Sequence, residues 1–283
     1  MFAVMRRMAI VESGEADAKT HPVSKSSMGT IHRRIILKVF LPLIILLILW
    51  QIIATLARTS LIEVIEAFVQ LAIEGDSEGA YLSDHIFASL FRVLIGFTTA
   101  AATAIPLGIL IGRYRLADSI FGPVIEAMRP IPPIAWIPLS ILLFSSNMLG
   151  AQAFIIWIGA FFPILINTTT GVKRTEPVHI DAAKTLGARE TQILWKIVIP
   201  SASPEIFAGI RIGFGISWMC LVAAEMIGGR VGLGYLVWIM QQVGRTGAVI
   251  SSMFLIGLIG FLITYFFLYI ERHLIKWKQS VSV

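Results

Sequence analysis

From residue 130 through residue 172 the chain carries no charged side chain. Wound as one helix at ~1.5 Å per residue, that run would extend roughly 64 Å, about twice the ~30 Å hydrocarbon core of a bilayer. It is therefore read as two membrane spans, with the polar break Ser145-Ser146-Asn147 as the turn between them. Residues 39–57, 93–112 and 248–270 are also uncharged and long enough to cross once each. A further stretch, 208–228, is apolar apart from Arg211 and Glu225 near its ends. Only 14% of the residues are charged, against about 25% in a typical soluble domain, which excludes a soluble globular fold. The expectation is an all-α membrane protein with six transmembrane helices.

The direction of the spans follows from the basic residues. With the N-terminus inside, eighteen Lys and Arg fall in inner segments and three, Arg58, Arg230 and Arg245, in outer ones. This positive-inside bias places both termini in the cytoplasm. The formal net charge of +6 is thus read as a topology signal and not as a nucleic-acid surface. Residues 1–34 read as a mobile cytoplasmic tail without the apolar run of a cleavable signal, and 35–278 as the transmembrane domain. The single cysteine, Cys220, forms no intrachain disulfide. There is no Walker A pattern, and His21, His32, His85, His179 and His273 are scattered without metal-ligand spacing. The chain is expected to bind no cofactor, nucleotide or metal of its own.

Two outer segments have patterns. Leu61, Ile65, Phe68 and Leu71 share one helical face, so a short amphipathic helix is expected there. Residues 232–242, GLGYLVWIMQQ, fit either a segment dipping into the membrane or an interfacial loop anchored by Tyr235 and Trp238.

The inner loop, residues 171–206, is too polar to cross the membrane but has helical periodicity and firm punctuation. Pro177 and Asp181 suit a helix start, Ala182, Ala183 and Leu186 form a small-sided face, and Gly187 permits a turn or a close approach by another surface. A second amphipathic stretch, with Ile193, Leu194, Ile197 and Val198, is expected to stop at Pro200. Asp181-Ala182-Ala183 is followed after three residues by Gly187, after nine more by Ile197, and then by Ile199-Pro200. This spacing resembles the cytoplasmic E-A-A loop of ABC importer permeases, with Asp181 for Glu and Ile199 for Leu keeping charge and apolar character. The run Arg129-Pro130-Ile131-Pro132-Pro133-Ile134-Ala135-Trp136, the segment GIRIGFGISW at 209–218, and AAEMIGG at 223–229 with the later GLGYL resemble the nitrate/sulfonate/taurine/bicarbonate branch of that superfamily.

The resemblance implies a MetI-like fold and a multi-pass inner-membrane location. It also implies a second permease copy, ABC ATPase subunits carrying ATP and Mg, and an extracytoplasmic substrate-binding protein. Within it, Asp181, Ala182, Ala183, Leu186, Gly187 and Pro200 are the expected ATPase-coupling residues. The alternatives are an ion-coupled secondary transporter and, behind it, a membrane-embedded enzyme.

A charge inside a span costs ~2.5–3.5 kcal/mol at a helix centre, so each needs a reason. Glu126 and Arg129, three residues apart, either pair with each other or face the dimer axis. Pro130, Pro132, Pro133 and Pro138 break the helix repeatedly, as membranes tolerate where backbone lines a cavity. Glu126, Arg129, Pro133, Trp136, Trp218 and Glu225 are accordingly the candidate path residues, with packing as the competing role for the two tryptophans and helix termination for Glu225. Arg211 is expected to snorkel to the cytoplasm.

Overall fold

The computed structural model describes residues 59–145 and 147–274, together with six helical positions between 41 and 52. The tail at 1–34, most of the span at 39–57, Ser146 and the chain end from 275 lie outside the described residues. From Thr59 onward the order is α1 Leu61–Ile73, α2 Leu82–Arg113, α3 Arg115–Met128, a 3-10 turn Pro133–Trp136, α4 Ile137–Leu143 and α5 Met148–Lys173. Then follow α6 Pro177–Thr185, α7 Glu190–Ile193, a π turn Leu194–Val198, α8 Ile199–Gly228, α9 Leu233–Gln242 and α10 Thr246–Leu274. Among the described residues, four helices are long and apolar enough to cross a membrane: α2, α5, the continuous helix Glu190–Gly228 and α10.

Helix α5 is the axis of the bundle, flanked by α2 and α8. Lipid tails are as apolar as leucine, so helices in a bilayer associate through close packing, which small residues allow. A Cβ on Gly96, Gly108 or Gly112 of α2 would lie 2.6–2.8 Å from Ile156, Thr168 or Val172 of α5. On the other side, a Cβ on Gly209 or Gly213 of α8 would come within 2.7–2.9 Å of Asn167 or Ile164. Around these seams Phe97, Ile156, Ile164, Leu165, Phe214, Trp218 and Leu221 form the main core.

The region 115–144 differs from a simple crossing. No membrane-long helix covers 130–144; instead α3 ends at Met128, and the 3-10 turn and seven-residue α4 follow. Pro130, Pro132 and Pro133 lack N–H donors and disfavour helical geometry in the residue before each, so the helix cannot continue through them. The turn near 145–147 does occur, and α5 begins with Asn147 Oδ1 accepting from Gly150 N–H at 3.0 Å.

The amphipathic helix at 61–71 exists as α1, opened by a Ser60–Glu63 capping box, but its buried residues are Val64 and Leu71, while Leu61, Ile65 and Phe68 are exposed. In a membrane protein the bulky apolar side chains need not face the core. The second loop helix also does not stop at Pro200: chain 190–228 is one continuous helix. The π turn widens the helix just before Pro200, and this relieves the clash between a proline ring and the carbonyl four residues earlier. The segment at 232–242 is a helix, α9, with Leu233, Leu236, Val237 and Met240 buried.

Candidate functional site

Three places hold the chemistry, one at each end of the bundle and one at mid-depth. At the loop end, Ala183 and Ile180 of α6 pack on a small core made by Val172, Ile193, Val198, Ala202 and Ile206. This leaves Val178, Ala182 and Leu186, spaced four apart, on the exposed side. Leu186 is 87% and Val178 71% exposed, so the ridge is an apolar surface that the described residues leave uncovered. Asp181 lies beside it, also exposed. Gly187 closes the helix at φ +77°, a left-handed conformation that costs other residues roughly 1–2 kcal/mol, and open space surrounds it. Five of the six expected coupling residues thus cluster around one exposed turn, whereas Pro200 lies in the helix beyond it.

Ion pairs tie this end to the bundle. Glu190 bridges Arg113 of α2 and Lys184 of α6, the latter at 3.8 Å. Lys173 of α5 meets Asp118 of α3 at 2.7 Å, and Arg174 meets Glu205 of α8 at 3.5 Å.

At mid-depth, an open cavity of about 330 Å³ is bounded by Arg129, Ile131 and Pro133, by α5 from Ile158 to Asn167, and by Ile212 and Ile216 of α8. Trp136 lines a neighbouring, wholly apolar cavity with Phe154 and Trp157. Glu126 lines neither cavity, and no ion pair joins it to Arg129. Trp218 is taken up by packing: it is buried between α8 and α10, and its Nε1 donates to the Ile256 carbonyl at 3.2 Å. Arg211 pairs with Glu271 of α10 at 3.2 Å instead of reaching free to the surface.

At the opposite end Glu225 is fully buried within a polar network. Its carboxylate accepts from Arg92 Nη1 at 2.7 Å, from the Ser89 hydroxyl at 2.9 Å and from Gly234 N–H at 3.0 Å. Ser89 in turn accepts from Leu233 N–H at 2.8 Å, and Arg92 also donates to the Val231 carbonyl at 2.6 Å. His85 Nδ1 meets both the N–H and the carbonyl of Gly232, at 3.0 and 3.1 Å, and its Nε2 lies 3.2 Å from Asp76 Oδ2. The first turn of α9 is therefore hung from α2 and α8 by its backbone. Gly232, at φ +146°, makes this possible, because a Cβ there would lie 2.5 Å from Glu225 Cδ. Outside the bundle, Tyr235 donates to Glu78 at 2.9 Å; burial, followed by that carboxylate, pushes its phenol up.

Sequence reading singled out Glu225 but not its partners. His85, Ser89 and Arg92 are spaced four and three apart, a polar stripe on an apolar helix, and that stripe was the available signal. Val178 was likewise readable as the residue four before Ala182.

Residues 104–279 match the family model described as binding-protein-dependent transport system inner membrane component. The chain is 43% identical over 255 residues to a protein of Methanocaldococcus jannaschii assigned as an ABC transporter permease, covering 88% of this chain and 95% of that one. It is 32% identical to the nitrate import permease protein NrtB of Synechocystis, over 90% of this chain and 95% of that one. With the taurine transport system permease protein TauC of Escherichia coli it shares 34% identity, over 85% and 89%. Among solved structures, a chain of the inward-facing MetNI methionine ABC transporter superposes with a TM-score of 0.60 at 18% identity, covering 68% of this chain and 95% of that one, a likeness of fold.

Proposed function

Because the chain belongs to the family of inner membrane components of binding-protein-dependent transport systems, we propose that it is the permease subunit of an ATP-driven importer for a small anion or small organic solute. Its substrate class is that of the nitrate and taurine permeases it resembles. The importer holds two copies of the permease around the path, each docked to an ABC ATPase subunit that carries ATP and Mg, and an extracytoplasmic binding protein delivers the solute. Each permease crosses six times with both termini in the cytoplasm: the span at 39–57, α2, the broken α3–α4 unit, α5, α8 and α10. In that frame α6 lies in the cytoplasm, and the Glu225 network lies toward the extracytoplasmic face.

The observation that carries the reading is the uncovered Val178–Ala182–Leu186 ridge beside Gly187. A protein surface seldom leaves such side chains in water unless a partner covers them. The ridge is also mechanically placed. Helix 190–228 begins three residues beyond Gly187, at most roughly 11 Å of chain, and runs unbroken into the membrane. Closure of the ATPase pair on ATP draws the two α6 helices together, and Glu190 carries the displacement to α2 through Arg113. ATP shifts the bundle between inward- and outward-open states only insofar as the ATPases hold one state more tightly.

The test is a pull-down of tagged permease from its native membranes in mild detergent, with mass spectrometry of the co-purifying chains. An ABC ATPase is expected with the wild type and absent with Gly187→Asp, which places a side chain and a charge at the turn. Its absence from well-folded wild type would remove the main support for the importer.

A further inference from the structure

Arg129 is set apart from the charges of the membrane-long helices other than Lys196, which is exposed at the loop end of helix 190–228. Among the described residues, Arg92 is paired with Glu225, Arg113 with Glu190, Lys173 with Asp118, Glu205 with Arg174 and Arg211 with Glu271, and Asp84 caps its own helix. Arg129 has no hydrogen bond or ion pair within the described chain, and Glu126, one turn before it, does not neutralise it. Its depth is fixed by the cavity it lines. The α5 residues of that wall, Ile158 to Asn167, lie around the middle of Met148–Lys173, and Ile212 and Ile216 lie at the middle of Ile199–Gly228. A lone guanidinium at this depth implies a counter-charge or water in the working protein.

The rest of the wall selects between these. Apart from Arg129, the one polar side chain is that of Asn167. Its Nδ2 donates to the Pro163 carbonyl at 2.8 Å, which uses one of its two N–H groups and leaves the other unspent. The cavity thus presents a cationic five-donor fork and an amide that offers an N–H and a carbonyl oxygen, with no carboxylate in its lining. A guanidinium takes two oxygens of a planar or tetrahedral oxyanion side by side, which suits nitrate, bicarbonate, carboxylate or sulfonate groups and disfavours cations.

We infer that Arg129, assisted by Asn167, is the charge-selecting element of the translocation path, the point at mid-depth where a small oxyanion exchanges water for a fixed cation. The inference rests on the importer reading and adds to it the residue that sets substrate charge. It makes Arg129 a substrate-contacting group, whereas Glu225 and Arg92 are spent on each other.

The test reads the local charge directly. In the Cys220→Ala background, Ile212→Cys places one thiol in the cavity wall of the full permease in native membranes. Its rate of reaction is measured with an anionic and with a cationic methanethiosulfonate of similar size. Arg129→Gln is expected to lower the anionic-to-cationic rate ratio by at least roughly tenfold, the scale of a unit charge acting nearby at low dielectric. Arg129→Lys is expected to keep most of the ratio, since it keeps the charge, and Arg115→Gln, at the start of α3, to leave it unchanged. Nitrate in the medium is expected to slow the anionic reagent with Arg129 and not with Gln. A ratio that Arg129→Gln leaves unaltered, in protein that still recovers its partners, overturns the inference. Failure of the importer reading registers separately, as an unsubstituted permease that recovers no ATPase.

Discussion

Leu186→Asp is expected to abolish ATP-driven uptake while leaving the permease folded. The side chain is 87% exposed and lies outside the hydrophobic clusters of the bundle, so the substitution removes nothing from the core. What it removes is the tip of the ridge that the ATPase would cover, and it puts a desolvation penalty in its place. A central apolar anchor at an interface is worth about 2–4 kcal/mol, or roughly 30- to 1,000-fold in affinity. Size-exclusion chromatography of the purified variant is expected to match wild type, while the stoichiometry of co-purified ATPase falls accordingly. Full recovery of ATPase with Leu186→Asp would move the docking surface elsewhere. Val178→Asp is expected to act in the same direction, because it stands on the same face two helical turns earlier.

The second large effect is expected at the opposite end. Glu225→Ala leaves Arg92 without its counter-charge in a buried setting and deprives Ser89 and the Gly234 N–H of their acceptor. Breaking a buried pair in this way costs about 3–5 kcal/mol, more than the pair contributes over an apolar replacement. Thermal unfolding in detergent is expected to show the loss, and limited proteolysis is expected to open the α8–α9 connection, since that backbone is held by the same groups. The double variant Arg92→Met with Glu225→Leu separates the causes. It removes both charges together and is expected to be more stable than Glu225→Ala. Equal loss in the single and double variants would show that the backbone bond to Gly234, and not the unpaired arginine, dominates.

The two sites were legible in the sequence to different degrees, for physical reasons. Spans show in run length because bilayer thickness acts on consecutive residues. The loop shows in spacing because a short helix, a left-handed glycine and a return helix are all local devices. The Glu225 network joins α2 to the first turn of α9, and nothing local in AAEMIGG or GLGYL names Arg92 as the partner. Leu61, Ile65, Phe68 and Leu71 mark one apolar face of α1 in the sequence, but periodicity does not say what that face meets, and of the four Leu71 is buried, beside Val64. Pro200 was read as a stop because sequence periodicity does not reveal the π turn that accommodates it. The proline run at 130–133 did announce a break, and Arg129 just before it and Pro133 at its end line the mid-depth cavity.

The most direct test of the account is uptake into proteoliposomes that hold the permease with its co-purified ATPase, supplied with its binding protein outside and ATP inside. Labelled nitrate, bicarbonate and taurine serve as the probes. The account predicts that uptake of at least one of them requires ATP and every component, and that permease alone is silent under any imposed ion gradient. Uptake by purified permease alone, driven by a proton or sodium gradient, would contradict it and identify the protein as an ion-coupled carrier.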